Sequence, residues 1–166
     1  MPFTPFHLGP ALLFGVVLFR WLDFPTFLAA NVVVDVRAAL IYFGYFDGRL
    51  HGPLHTFAIG TVLALVLSVG VYAAKPLCNR VLAPFRLDQD RAWRTVVAAA
   101  LGGVYLHICL DSMLYTDIRP FFPSAFNPFF GLLSSFEVYG LCVLAFVLGA
   151  VAYVGRLVHP RFSLDG

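Results

Sequence analysis

RAWRTVVAAALGGVYLHICLDSML, Arg91 to Leu114, is the stretch that decides how this chain is read. Beyond Arg94 it is apolar almost without interruption, and about 20 such residues cross a bilayer. Two polar side chains break the run near its far end. His107 and Asp111 are four apart, so a helix presents both on one face. A charged group at membrane depth costs about 2.5–3.5 kcal/mol on insertion scales. It persists when it pairs, binds a cation or lines a wet cavity.

The rest of the chain has the same character. Of 166 residues, 60% are hydrophobic and 12% charged, and mean hydropathy is +0.85. No soluble core of this size hides that much apolar surface, and disorder is excluded by the same excess. Eleven Lys+Arg against nine Asp+Glu form no basic stripe, which argues against nucleic acid as a partner. The composition predicts one all-α integral-membrane domain over residues 1–166, a polytopic helical bundle. Five helices are predicted: roughly Leu8 to Leu22, Thr26 to Phe46, Pro53 to Ala74, Arg91 to Leu114 and Gly131 to Leu157. Lys75 to Arg91 reads as a short interfacial helix. Tyr115 to Phe130, with Pro120, Pro123 and Pro128 among five phenylalanines, reads as an irregular loop at headgroup depth. The small residues Ala98, Ala99, Gly102 and Gly103 are expected to pack against the second or third helix. Cys78, Cys109 and Cys142 are too few and too scattered for a disulfide framework. MPFTPFHLGP lacks the basic region of a signal peptide and is expected to be the mature start.

Cations set the orientation. With the Lys75–Arg94 connection in the cytoplasm, Arg20, Lys75, Arg80, Arg86, Arg91, Arg94, Arg156 and Arg161 fall on that side. Arg49 and Arg119 fall outside and Arg37 within a span. The positive-inside rule then places the N-terminus outside and the C-terminus in the cytoplasm. A prokaryotic cytoplasmic (inner) membrane fits this arrangement.

That topology brings His7, His51, His55, His107, Asp35, Asp111 and Asp117 to the outer half of the bundle; only His159 is cytoplasmic. His51 and His55 are four apart, as are His107 and Asp111, and two ligands on one helix face can hold one metal. Zinc suits such a borderline His/Asp set, and manganese or iron accept it too.

Four ordered pieces then resemble a known family: FHLGPA at His7, NVVVDV at Asp35, HGPLHT at His51 and His55, and HICLDSMLYTDIRPFFP from His107 to Pro123. They resemble the YdjM-type membrane-bound metal-dependent hydrolases, and more distantly zinc-dependent phospholipase C. The family commonly has a second acid two residues after the mid-span Asp; here that position is Arg37. The resemblance implies one or more divalent ions, zinc first, held by His7, Asp35, His51, His55, His107 and Asp111. It also implies phosphoester hydrolysis by metal-activated water. Asp117 is the first candidate for general base and Glu137 the second. Arg37 or Arg119 would neutralise a phosphate. A site near the outer headgroups predicts a phospholipid or another lipid-like substrate. Two other readings stay open: a zinc amide hydrolase of ceramidase type, and a non-enzymatic transporter of divalent metal or protons.

Overall fold

The structure, a computed structural model, describes residues 5–48 and 50–158. Arg49, His159 and Arg161 lie outside that range. The described residues form seven α-helices, with no strand among them: α1 Leu8–Val17, α2 Phe24–Val33, α3 Val36–Tyr42, α4 Phe57–Ala73, α5 Lys75–Leu82, α6 Trp93–Leu114 and α7 Ser135–Val158. Short 3-10 turns cover Pro53–His55 and Ala83–Phe85. α6 and α7, with 22 and 24 residues, are each long and apolar enough to cross a membrane. At 1.5 Å per residue they measure about 33 and 36 Å. Taking α2 with α3, and α4 with α5, as bent pairs raises the number of candidate spans to four. This fits an integral membrane protein. α1 has ten apolar residues, fewer than a crossing needs.

Capping residues set the helix starts. Asp23 accepts from the Thr26 N–H at the start of α2, where Pro25 lies in the first turn. The Thr56 hydroxyl accepts from the Ile59 N–H and opens α4. Ser134 and Glu137 form a capping box before α7: Glu137 accepts from the Ser134 N–H at 2.7 Å, and the Ser134 hydroxyl accepts from the Glu137 N–H at 3.3 Å.

α6 lies at the centre, packed on α2 and α4, while α1 packs on α7 and α2. Small residues permit these close approaches. A side chain at Gly103 would meet the Ala30 side chain at 2.6 Å and the Phe27 carbonyl at 2.7 Å, both on α2. Gly9 and Gly149 do the same between α1 and α7. The small-residue face of α6 thus packs on the second helix, as expected. Ala30, Val34, Ala64, Ala100, Val104 and Ile108 fill the space between α2, α4 and α6.

Two departures from the expected helices have visible causes. Regular helix stops at Val17 rather than Leu22, because side chains from the α5–α6 connection take the carbonyls beyond it. Gln89 donates to Phe19 and Leu22 at 2.7 and 3.1 Å, and Arg91 donates to Phe19 at 3.0 Å. The second expected helix is bent by 42° between α2 and α3. The Asn31 carbonyl lies 2.7 Å from His107 Nδ1, and the Asp35 N–H turns to Val32 instead. A side chain inserted into the helical ladder is a recognised cause of kinking. The expected interfacial segment folds as α5, bent 72° from α4. The 115–134 connection is irregular, as expected, but anchored. Pro120 accepts from the Phe57 N–H at 2.9 Å, Asn127 donates to Ser112 at 2.9 Å, and Ile118 is buried.

Candidate metal centre

The kink places Asp35 at a helix junction, one turn beyond the point where α6 presses His107 against α2. His55 closes the 3-10 turn that follows Gly52, and Asp111 follows His107 by one turn of α6. Their ligand atoms all lie within 4.8 Å of one another. The individual separations are more informative. Asp35 Oδ1 lies 3.4 Å from His55 Nε2 and 3.3 Å from His107 Nε2. Asp111 Oδ2 lies 3.4 Å from His55 Nε2 and 3.2 Å from His107 Nε2. Four atoms therefore alternate nitrogen and oxygen around a ring of nearly equal edges.

The four separations are those of His–Asp ion pairs, but their hydrogen-bond geometry is poor. His55 Nε2, His107 Nε2 and both Asp111 oxygens are buried and make no hydrogen bond of acceptable geometry. Buried polar atoms left this way cost about 1–3 kcal/mol each, so a group that satisfies them together is favoured. Bonds of about 2.0–2.2 Å put adjacent ligand atoms about 3 Å or a little more apart, and the four His–Asp separations of 3.2–3.4 Å are of that size. The surroundings also prepare one ligand. His107 Nδ1 donates to the Asn31 carbonyl, which leaves the Nε2 lone pair aimed into the ring. A buried cluster of Asp35, His55, His107 and Asp111 can thus hold a metal ion.

The other expected site residues fall around this cluster. His7 Nε2 touches Asp111 Oδ1 at 3.1 Å, and its ring stacks on that of His107 at 4.1 Å. It sits beside the four rather than among them. The His51 ring is 5.2 Å from that of His55, but its Nδ1 meets Asp117 Oδ1 at 3.0 Å. His51 and Asp117 form a separate pair nearer the surface. Tyr115 packs against His51, with ring centroids 4.2 Å apart. Burial, with Tyr139 beside it, pushes the Tyr115 hydroxyl up from its usual range. It remains a neutral donor. Arg37 runs along the backbone of the turn before His55; its guanidinium occupies the space that a side chain at Gly52 would need. Arg119 is exposed. Glu137 is exposed and engaged in its capping box. The S-x-x-E spacing of Ser134 and Glu137 signals that local role in the sequence itself. Asn31 acts through its backbone carbonyl, and nothing in the sequence marks a backbone carbonyl as a partner of His107.

No family model, curated protein or solved structure matches this chain at a significant level.

Proposed function

We propose that the protein is a membrane-embedded metal-dependent hydrolase acting on a lipid or lipid-linked phosphoester. The observation that carries the metal is the buried ring of alternating His nitrogens and Asp oxygens, with edges of 3.2–3.4 Å. Two imidazoles and two carboxylates suit zinc better than magnesium, which prefers all-oxygen octahedral sites. A divalent ion held there would make a bound water acidic and polarise a phosphoryl oxygen.

The chain supplies the rest. Asp111 and Asp35 contribute two negative charges in a dry environment, which strengthens their hold on a cation. Asp117 binds His51 Nδ1, which leaves His51 Nε2 available to hold or pass a proton. This revises the expected roles: His51 becomes the proton carrier and Asp117 its orienting partner. Tyr115 packs on the His51 ring and offers a neutral hydroxyl beside it. The exposed aromatic residues of the 115–134 connection, such as Phe122 and Phe126, give lipid tails a surface beside it. In this reading the site opens toward the outer leaflet of a prokaryotic inner membrane. The four-piece resemblance to YdjM-type hydrolases supports the reaction class.

A second reading has its own observation. Four protein ligands, nearly all fully buried, are typical of structural zinc. Here they would tie together α2, α6 and the turn before α4. Metal content of protein purified in detergent without chelator is the first test, compared with His107→Ala. A stoichiometric divalent metal is expected in the wild type and loss of it in the variant; a metal-free wild type would sink both readings. Release of phosphate or a phosphorylated headgroup from lipid substrates supports the hydrolase. Fatty acid release favours an amide or ester hydrolase. A bound metal with no turnover, whose removal lowers thermal stability, establishes the structural role.

A further inference from the structure

Charge is unevenly distributed between the two ends of this protein. Asp35, Asp111 and Asp117 gather with His7, His51, His55 and His107 at one end, where Arg37 and Arg119 also lie. Arg20, Arg80, Arg86, Arg91, Arg94 and Arg156 gather at the other, around α5. Lys75 at that end is neutralised by buried Asp23. Asp88 and Asp90 offset part of the remaining positive charge.

α5 has two contrasting faces. Lys75 and Asn79 face the bundle: Lys75 reaches Asp23 at the start of α2, and Asn79 accepts from the Gln89 N–H at 3.1 Å. Leu77 and Val81, one turn apart, project the other way, and Phe85 extends the stripe into the following 3-10 turn. They are 62%, 59% and 55% exposed. Arg80 lies on the flank of this stripe and is also exposed. On the preceding helix α4, Val62, Val66 and Val69 are likewise exposed. The chain turns through 72° between the two helices. That bend leaves α5 lying across the direction of α4. Trp21 and Trp93, both exposed at this end, suit a headgroup belt.

We propose that α5 is an in-plane anchor that binds the anionic phospholipid headgroups of the leaflet opposite the metal centre. Leu77, Val81 and Phe85 enter the acyl boundary while Arg80 meets the phosphates, with Arg20 and Arg94 also exposed. An apolar face flanked by cations is the composition that selects such a surface. Each cation near an anionic leaflet contributes on the order of fivefold in local lipid preference. This inference does not depend on the activity proposed above.

The test uses the full chain carrying Val81→Trp with Trp21→Phe and Trp93→Phe, in bilayers containing brominated lipid. The introduced indole should be quenched. Quenching should be stronger when the bromine is on phosphatidylglycerol than on phosphatidylcholine at the same total fraction. About 0.5 M salt, which shortens the screening length to a few ångströms, should remove the difference. So should joint Arg20→Gln, Arg80→Gln and Arg94→Gln. The salt arm needs no further substitution, so it decides the matter even where the triple variant folds poorly. Equal quenching by both lipids at low salt would overturn the charge selection. Unquenched, water-like emission would overturn the anchor. Unquenched but blue-shifted emission would put a second protein copy on the stripe and also overturn it.

Discussion

Asp111→Asn is the most incisive perturbation of the candidate metal centre. The side chain keeps its shape and loses its charge, so core packing changes little. Asp111 is fully buried and offers one oxygen to His55 and His107 and the other to His7. If four ligands share the roughly 10–16 kcal/mol typical of structural zinc in small domains, each accounts for about 2.5–4 kcal/mol. That corresponds to roughly two to three decades in affinity. Competition against a chromophoric chelator, with metal content measured in parallel, reads this directly. Asp35→Asn should behave alike, because Asp35 Oδ1 occupies the equivalent corner of the ring. Asp117→Asn should change affinity by less than about tenfold, the lower bound for residues that only orient ligands. Wild-type affinity in Asp111→Asn, in protein with native helicity, would refute the assignment. A larger loss in Asp117→Asn would move the site to the His51–Asp117 pair.

The remaining expectations concern neighbouring parts of the molecule. His51→Ala should keep its metal while losing turnover, measured as metal content against lipid hydrolysis. Bound metal should fall as pH is lowered, because imidazole ligands bind only in the neutral form; equilibrium dialysis across the acid range checks the sign. Gly103→Ala should destabilise the protein by about 1–3 kcal/mol, because its Cβ meets Ala30 and the Phe27 carbonyl. Gly140→Ala, with nothing within 4 Å, should be neutral or raise the melting temperature slightly through helix propensity. Lys75→Met alone should cost about 3–5 kcal/mol by stranding buried Asp23. Adding Asp23→Asn, which keeps the α2 cap, should recover much of that loss in thermal denaturation.

Much of the site is written in local spacing. His107 and Asp111 must share a face of α6 because they are one turn apart on a helix whose apolar run leaves little alternative. The capping box at Ser134 and Glu137 is equally local and shows why Glu137 is engaged away from the metal centre. His51 is different. Its four-residue spacing from His55 implies a shared helix face, but Pro53 opens a 3-10 turn there. The two rings diverge, one to the cluster and one to Asp117.

The sequence by itself pointed to a helical membrane bundle and led to the expectation of most cations on one side and four of five histidines on the other. Hydropathy and charge are sums over residues and need no knowledge of contacts. Only the tertiary structure decided which four side chains meet. The bend that brings Asp35 to His107 has no proline or glycine between Val32 and Val36 to announce it. It coincides with the approach of α6 to α2 across Gly103 and Ala30, which lets His107 take the Asn31 carbonyl out of the helical ladder. A contact between residues 76 positions apart thus sets the local backbone, and no window along the chain contains both.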